Sequence, residues 1–343
     1  MARRSDAFNP EGRAPADGEF ARIGRWLLPL ADDLPGLGDL VPRTLIDNGD
    51  DALAVRPAEP LVISMDMAVA GTHFPAAAAV ADAAVKALRA ALSDLAAMGA
   101  RPWFYTLGLV LPDGLSDADW QALHDTLRAE NRHWQVRCLG GDLTRGPGLV
   151  FSVQVHGLSE RPLTRCDARA GEDLWVTGTL GGSAGGLAGL QGERPLLPTL
   201  QDAFYRPALP LTFMQAANPL LSAAIDISDG LVSDLQHLLS ASALSAELLL
   251  DEVPVNPDLL HHDTRAEALD RALYGGEDYQ VLFTAPPEHS TRLQTLAQHQ
   301  AQPISRIGRL RANEPDQPRQ LTARWQGRPF SLRTSNTGYD HFA

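Results

Sequence analysis

The chain has 343 residues, of which 44 % are hydrophobic and 21 % charged, a composition typical of a folded protein with room for two domains. The 42 acidic residues outnumber the 29 basic ones, and the resulting formal net charge of −13 argues against nucleic acid as the main partner. Two cysteines cannot form a disulfide framework and no apolar run approaches the roughly 20 residues that span a bilayer, so we expect a cytoplasmic protein without a membrane partner.

The first half of the chain predicts one domain over residues 18–160, after a leader at 1–17 that lacks periodicity and is expected to be disordered. An amphipathic helix is expected at 18–30, where large apolar residues recur at helical spacing. The elements expected after it are strands at 53–55 and 61–65, a helix at 82–98 that ends at Gly99, a strand at 104–111, a helix at 117–133, and strands at 135–139 and 149–156.

A segment rich in proline and arginine at 161–170 predicts the connection to a second domain over residues 161–343. This half is expected to contain a strand at 173–177 followed by a glycine-rich turn and a helix, a strand at 223–227, a helix at 229–241, and strands at 247–250 and 279–284. The alternation of strands and helices predicts an α/β (α+β) fold class, with two α/β domains and an active site in the cleft between them.

Aspartates at the ends of predicted elements are the main chemical signal. Asp51 precedes the strand at 53–55 and Asp66 follows the strand at 61–65, so an antiparallel hairpin of these strands would bring both carboxylates to its open end. Strand alternation places Ser64 on the same face as Asp66. Carboxylates this close repel one another, and a divalent cation relieves the repulsion. The alternative interpretation is that Asp51 is a turn residue and Asp66 a strand end.

Further acids occupy comparable positions. Asp94 lies beside the apolar face of its helix, Asp142 follows two glycines after a strand, and Asp226 and Asp229 flank Ser228 at a strand-to-helix junction. Another acid, Asp278, lies at the start of a strand. Such a set favours a shared magnesium site with oxygen ligands and phosphates as co-ligands, although Ser228 or Asp229 could instead simply cap the helix.

Any nucleotide phosphates have to be held without a Walker A loop. Lys86 is the only lysine, and Val80 and Val85 stand at the two glycine positions of G-x-x-x-x-G-K-[ST]. The glycine-rich turn at 178–186 could cradle a phosphate at a helix N-terminus, but close packing of helix against strand explains these glycines equally well.

Eight short motifs run in a fixed order over nearly the whole chain. They are GDDA at 49–52, SMDMAVAGTHF at 64–74, KAL at 86–88 continuing to LSDLAAMGA at 92–100, GGDLTRGP at 140–147, LTR at 163–165, IDISDGL at 225–231, GGEDY at 275–279 and GYDHF at 338–342. This order resembles the thiamine-monophosphate kinase family, which is part of the ATP-binding enzymes similar to aminoimidazole ribonucleotide synthetase.

The resemblance implies that ATP transfers its γ-phosphoryl group to thiamine monophosphate, with several Mg²⁺ ions, in a homodimer formed through N-terminal mixed-sheet domains. The residues on its magnesium positions are Asp51, Ser64, Met65, Asp66, Asp94, Asp142, Asp226 and Asp229. The ATP positions are Gly141, Asp142, Arg165 and Ser228, and the substrate positions are His73, Glu277 and Tyr339 in the C-terminal tail. An aromatic residue within 103–105 is also expected near the nucleotide.

Three residues depart from the family pattern. Met65 stands where the family usually has a hydroxyl, Ala91 replaces a common asparagine, and Leu143 replaces a threonine. Strand alternation predicts that the Met65 side chain points away from Ser64 and Asp66. Two other interpretations remain: an ATP-dependent synthetase or dehydratase of the same superfamily, and a binding module that lost catalysis through these three changes.

Overall fold

The computed structural model describes residues 19–31, 43–46, 52–313 and 320–333. Its helices are α1 Glu19–Arg22, which continues as a π-helical turn at Ile23–Leu27 and a 3-10 turn at Leu28–Ala31, α2 Val80–Ala97, α3 Asp117–Trp134, α4 Gly182–Leu190, α5 Pro198–Tyr205, α6 Leu211–Ala217, α7 Leu231–Ser242, α8 Arg265–Tyr274 and α9 Ser290–His299. Its strands are β1 Arg43–Ile46, β2 Ala54–Arg56, β3 Leu61–Val69, β4 Arg101–Leu111, β5 Arg137–Arg145, β6 Val150–Leu158, β7 Asp173–Thr177, β8 Ala223–Asp226, β9 Ser245–Leu249, β10 Val281–Ala285, β11 Ile304–Arg311, β12 Leu321–Trp325 and β13 Arg328–Phe330.

Four of the six strands of the N-terminal half form a mixed sheet in the order β3-β6-β4-β5. β6 pairs antiparallel with both β3 and β4, whereas β4 and β5 pair in parallel. Parallel neighbours need a crossover, and α3 supplies it between β4 and β5. The inward side chains of β3, β4 and β6 pack against α2, so one face of this sheet is covered by a helix.

The strands of the C-terminal half form a seven-stranded sheet in the order β13-β12-β9-β11-β7-β10-β8. β12 and β9 pair in parallel, and the other neighbours pair antiparallel. The fold is therefore a mixed α/β arrangement of two large sheets and their helices, as the sequence predicts, with a separate two-stranded sheet of β1 and β2. No helix within the described ranges is both long enough and apolar enough to cross a membrane.

The long helix α2 is the wall shared by the two halves. It contacts β3, β4, β6 and α3 on the N-terminal side, and α5, α6, β8 and β10 on the C-terminal side. Most of its 18 residues are buried, and many of these are alanines, whose short side chains allow close approach from both directions. The predicted helix at 82–98 is confirmed, and it ends as predicted at Gly99, which adopts a φ of 60°.

The predicted hairpin of the two early strands is wrong. β2 pairs antiparallel with β1, and β3 pairs with β6. The connection between β2 and β3 contains Pro57 and Pro60, which have no N–H to donate to a ladder. β3 also buries Val62 and Ala68 against the core, and this burial holds the strand at the edge of the four-stranded sheet.

Two predicted strand ends are also wrong, because Asp66 lies inside β3 and Asp142 inside β5. The predicted strands ended before Asp66 and before the two glycines that precede Asp142. At an edge strand, however, the ladder continues past a polar residue whenever its side chain reaches a cleft or solvent. Within the described ranges, the helices and strands that the sequence did not predict are β1, α5, α6, α8, α9 and the C-terminal strands β11, β12 and β13.

Candidate functional site

A cleft of about 560 Å³ lies where the two halves of the protein meet. Five of the predicted site residues line it: Asp66 and His73 from the N-terminal half, and Ser228, Asp229 and Glu277 from the C-terminal half. Its volume falls within the range of small-molecule sites. The fold thus brings together residues that lie up to about 210 positions apart in the chain.

Three carboxylates and two hydroxyls from β3, α2 and β8 lie near one another beside this cleft. The Ser64 hydroxyl on β3 donates to Asp94 on α2 at 2.5 Å. The Ser93 hydroxyl, one residue earlier on α2, donates to Asp226 at the end of β8 at 2.6 Å. Alternation along β3 leaves Ser64 and Asp66 on one face, as predicted, while Met65 on the other face is 56 % exposed. The Met65 side chain is therefore not among the groups that the structure gathers.

Burial and mutual repulsion disturb the ionisation of these acids. Burial, with the charge of Asp94 added, raises the pKa of Asp66 to about 6. Burial and the charges of Asp94 and Asp66 raise the pKa of Asp226 to about 7, although the Ser93 hydrogen bond and Arg165 oppose this shift. Burial also raises the pKa of Asp94, against the opposing effects of the Ser64 hydrogen bond and Arg165. The cluster thus carries negative charge that its surroundings do not fully neutralise.

Asp234, which the sequence analysis missed, fixes the backbone of the site. One of its carboxylate oxygens accepts hydrogen bonds from the backbone N–H groups of Ser228, Asp229 and Gly230, at 3.0 to 3.1 Å. Burial and the charges of Asp226 and Asp229 nevertheless raise its pKa to about 8. The position of Asp234 in the first turn of α7 was the sequence signal for this role, because an acid there stabilises the helix N-terminus.

The segment that carries Glu277 has an unusual backbone. Gly276, Glu277 and Tyr279 all have positive φ values, between 50° and 68°. The Glu277 N–H donates to the Ser228 carbonyl at 2.7 Å and the Tyr279 N–H donates to the Ile227 carbonyl at 2.9 Å. Positive φ at residues other than glycine costs free energy and tends to occur at functional sites. The hydrogen bonds keep this segment against the loop that carries Ser228.

Asp278 has a structural role, because it connects this segment to the start of α4. Its carboxylate accepts hydrogen bonds from the backbone N–H groups of Gly181 at 2.6 Å and Ser183 at 3.2 Å, at the start of α4. Burial raises the pKa of Asp278 to about 7 despite these bonds. Because a protein carboxylate already uses the N–H groups of this glycine-rich turn, close packing is the better account of the turn than a phosphate cradle.

The single lysine lies at the boundary between the two halves. Lys86 on α2 is 2 % exposed, and its ammonium group lies 3.2 Å from the Glu277 carboxylate. It also donates to the Phe204 carbonyl at 3.1 Å and lies 3.7 Å from the centroid of the Phe204 ring. Burial lowers the pKa of Lys86, and the charge of Glu277 opposes that shift. The pair holds Glu277 beside the cleft.

We expect Lys86→Met to destabilise the protein by about 3 kcal/mol, because it leaves the partly buried Glu277 carboxylate without its partner. The double variant Lys86→Met/Glu277→Gln removes both charges and is expected to recover more than half of that loss. Urea unfolding of both single variants and the double variant measures the coupling between the two groups. Additive effects of the two substitutions would contradict the pairing.

Gly141 and Asp142 lie apart from the acid cluster within one chain. Across the sheet, Asp66 on β3 pairs with Val153 on β6, Val153 with Leu107 on β4, and Leu107 with Gly141 on β5. Three strand spacings, roughly 14 Å, therefore separate Asp66 from Gly141. Gly141 has a φ of 150°, and a Cβ there would lie 2.0 Å from the Leu107 carbonyl oxygen, so only glycine fits. Gly141 and Asp142 instead line a small pocket of about 60 Å³ beside the N-terminal helical segment.

The other predicted site residues are placed as follows. Asp51 and Tyr339 lie outside the described residues. Arg165 is exposed, and its positive charge opposes the rise in the pKa of Asp94 and of Asp226 that burial causes. The His73 ring accepts a hydrogen bond from the Val69 N–H at 3.1 Å. Of the aromatic residues at 103–105, the Tyr105 hydroxyl bonds Asn131 in the core, away from the cleft.

The donor chemistry of the acid cluster fits magnesium, since carboxylate and hydroxyl oxygens are the ligands that hard cations prefer. Mutual repulsion between Asp66, Asp94 and Asp226 is the property that a divalent cation would relieve. Within the described ranges, however, no three acidic, histidine or cysteine side chains converge closely enough to hold an ion.

Two family models match the chain in succession. The AIR synthase related protein N-terminal domain matches residues 49–159, and the AIR synthase related protein C-terminal domain matches residues 169–317. The fold and its cleft therefore define an AIR synthase related protein with both domains in order. Thiamine-monophosphate kinases of Escherichia coli K12 and Salmonella typhimurium are 40 % and 39 % identical to it, each over 96 % of this chain and 99 % of the relative. The chain belongs to the thiamine-monophosphate kinase family.

Solved structures agree with this assignment. The crystal structure of thiamine-monophosphate kinase from Stenotrophomonas maltophilia K279a aligns with a TM-score of 0.74 and 34 % identity, covering 90 % of this chain and 94 % of that one. AaThiL complexed with AMPPCP and TMP aligns with a TM-score of 0.71 and 27 % identity, covering 82 % and 87 %. That protein binds an ATP analogue and TMP together.

Proposed function

We propose that this protein transfers the γ-phosphoryl group of ATP to the phosphate of thiamine monophosphate, which yields ADP and thiamine diphosphate. The observation that carries the proposal is the interdomain cleft, where Asp66 lines the same cavity as Ser228 and Glu277 and lies next to the buried acids Asp94 and Asp226. The 40 % identity to a thiamine-monophosphate kinase over 96 % of this chain supports the choice of substrates. So does the structural similarity to a protein solved in complex with AMPPCP and TMP.

The proposed reaction places few demands on side-chain chemistry. An oxygen of the acceptor phosphate attacks the γ-phosphorus, a new P–O bond forms, and the bond between the γ-phosphorus and the β–γ bridging oxygen breaks. The acceptor oxygen is already anionic, so no general base is needed. Catalysis then depends on in-line placement of the two phosphates and on offsetting their charge. Arg165 is the residue that we propose to contact ATP phosphates from the protein side.

We propose that Asp66, Asp94, Asp226 and Asp229, with Ser64, hold Mg²⁺ together with the nucleotide, and that Asp51 and Asp142 complete the set. Bound magnesium supplies Lewis-acid stabilisation of the phosphate charge. Ser93 and Ser64 orient Asp226 and Asp94 through their hydroxyl hydrogen bonds. Asp234 holds the backbone from Ser228 to Gly230, which keeps Ser228 and Asp229 at the cleft.

The substrate side of the proposal rests on Glu277, His73 and Tyr339, the positions that match the family motifs. Lys86 holds the Glu277 carboxylate at the cleft, where its negative charge can balance the thiazolium ring.

We also propose an N-terminal domain over 18–160 that binds ATP and magnesium, and a C-terminal domain over 161–343 with a substrate-binding tail. The free Cys138 and Cys166 support a reducing, cytoplasmic location.

The test is direct turnover. Purified protein with ATP, Mg²⁺ and thiamine monophosphate is expected to form thiamine diphosphate and ADP in equal amounts, measured by liquid chromatography, with no product when magnesium is chelated. Nucleotide binding without any product would contradict the kinase assignment and favour a module weakened by Met65, Ala91 and Leu143. Consumption of ATP with a different acceptor would favour another enzyme of the superfamily.

We further propose that the protein is a homodimer formed through its N-terminal sheet. The outward face of the edge strand β3 presents Ile63, Met65 and Met67, each more than half exposed. An exposed apolar row on an edge strand marks an association surface, since a soluble monomer would expose it to aggregation.

We expect Met65→Lys to convert the dimer to a monomer, because the substitution places a charge in the middle of this apolar row. Light scattering coupled to gel filtration measures the mass. Gln121→Lys on the exposed face of α3 adds the same charge elsewhere and serves as the control. A native protein that elutes as a monomer, or a Met65→Lys dimer as stable as the native one, would rule out this interface.

A further inference from the structure

A second cavity spans the two domains and shares no lining residue with the candidate active site. It is a crevice of about 510 Å³ bounded by the C-terminal end of α3, the first residues of β4 and β5, Arg89 of α2, and residues 208–215. Helix α2 contributes Arg89 to this crevice and Lys86, Ala87 and Ala90 to the cleft. We call the second cavity the arginine crevice.

The ionisable side chains that line the arginine crevice are all basic, within the described part of the chain. They are Arg89, Arg101, Arg137 and His133. Such a cluster is unusual in a protein with a formal net charge of −13. Basic groups gathered in a concave site focus a positive potential, which attracts anions.

Hydrogen bonds to the protein satisfy one of these arginines and leave others available. Arg89 donates to both oxygens of Glu130 at 2.8 Å and to the carbonyls of Arg206 and Pro207 at 3.1 and 3.0 Å, so it serves to hold the structure. Arg101 makes one long contact with Glu59, 3.4 Å, and its side chain is 40 % exposed. Arg137 has a buried Nε without a protein acceptor in the described ranges.

Trp103 adds a second donor that lacks a partner. The residue is 5 % exposed, lines the crevice, and its indole Nε1 makes no hydrogen bond to the described protein. This N–H is itself buried, so Trp103 contributes aromatic surface to the wall of the crevice and its unmet hydrogen bond remains inside the wall. The side chain of Trp134 and those of Leu209 and Leu211 supply apolar surface in the same cavity.

We propose that the arginine crevice binds a small phosphorylated compound with a planar ring. Arg101 and Arg137 match the charge of a phosphate group, and guanidinium groups bind phosphate oxygens in pairs of hydrogen bonds. The volume exceeds that of a phosphate and leaves space for a ring against the two tryptophans.

A ligand in the arginine crevice would join the two domains beside the candidate active site. The segment from Phe204 to Ala208 links the cavities: the Phe204 carbonyl accepts from Lys86, and the Arg206 and Pro207 carbonyls accept from Arg89. The Ala208 carbonyl accepts from Gln280 at 2.7 Å, next to the strained segment of Glu277. Ala208 also lines the crevice.

Calorimetric titration of the full-length protein in magnesium-free buffer with chelator tests the proposal, using inorganic phosphate and phenyl phosphate as probes. We expect phenyl phosphate to bind at one site per chain and about 10-fold more tightly than phosphate, because its ring contacts the tryptophans. At 100-fold excess over its Kd, phenyl phosphate is expected to raise the Tm by about 4 °C or more. Failure of the native protein to bind either probe would overturn the proposal, and equal affinities would overturn the role of the ring.

The double variant Arg101→Gln/Arg137→Gln is expected to weaken both probes at least 10-fold, whereas Arg292→Gln, which removes one exposed charge on α9, is expected to leave binding unchanged. Trp103→Phe, which keeps a ring but reduces the aromatic surface of the wall, is expected to weaken phenyl phosphate binding about 5-fold. Unchanged affinity in the double variant would overturn the site. Circular dichroism confirms folding, and Arg101→Lys/Arg137→Lys retains the charge if the glutamine variant is unstable.

Turnover separates the arginine crevice from the candidate active site. Without added probe, Arg101→Gln/Arg137→Gln is expected to convert thiamine monophosphate within about two-fold of the native rate. A folded double variant without turnover would place these arginines in the catalytic machinery and overturn the assignment of a separate site. Because the binding experiments contain neither ATP nor magnesium, their outcome does not depend on the proposed kinase activity.

Discussion

Replacing Asp66 or Asp94 with asparagine is expected to lower kcat for thiamine diphosphate formation by on the order of 10³-fold. Each substitution keeps the shape of the side chain but removes one of the charges that would hold magnesium beside the phosphates. Steady-state kinetics at saturating ATP and thiamine monophosphate measure the loss.

The same two variants are expected to be at least as stable as the native protein when magnesium is absent. Asp66 and Asp94 repel each other and Asp226 in the buried cluster, so losing one charge relieves that repulsion. Asp125→Asn, at an exposed position of α3, removes the same charge elsewhere and is the matched control. Native rates in both Asp66→Asn and Asp94→Asn would refute the metal cluster, whereas loss of folding would show that the carboxylates are structural.

The free protein is expected to lose stability as the pH rises from about 5 to 8. Folding raises the pKa of Asp66 to about 6, of Asp226 and Asp278 to about 7 and of Asp234 to about 8, from an ordinary value of 3.8. Between the ordinary and the raised values, the folded state binds more protons than the unfolded state. Stability therefore falls with rising pH, by up to about 1.4 kcal/mol per pH unit for each group.

Magnesium is expected to reduce this pH dependence, because a bound cation stabilises the ionised carboxylates of the cluster. Urea unfolding between pH 5 and 8, with chelator and with saturating magnesium, gives the two profiles. Asp66→Asn removes one titrating group and is expected to flatten the profile in chelator. A free protein whose stability rises over this range, or a magnesium effect that is the same at every pH, would contradict the electrostatic account of the cluster.

Local patterns in the sequence predicted the central elements well. Apolar residues at helical spacing and Gly99 at the end defined α2, and alternation in β3 placed Ser64 and Asp66 on one face. These inferences succeeded because each depends on residues within a few positions of one another. The motif order also indicated the family, which the comparisons confirm.

Non-local pairing was beyond the reach of such patterns. Nothing within 53–66 indicates that β3 pairs with β6, some 90 residues later, and not with β2. The partner of Lys86 is equally remote, because Glu277 comes from the other half of the chain. Asp234 was overlooked because an acid in the first turn of a helix is ordinary, and only the fold shows that it binds three consecutive N–H groups.

The position of α2 also constrains how the chain acquires its structure during synthesis. Residues 80–97 leave the ribosome long before α5, α6, β8 and β10, the last of which ends at Ala285. Until then, the helix can pack on the N-terminal sheet, but its second apolar side has no protein to cover it. We therefore expect the nascent N-terminal half to be prone to aggregation until the C-terminal half is made. A fragment that ends near residue 160 is expected to be poorly soluble, although it contains a complete sheet.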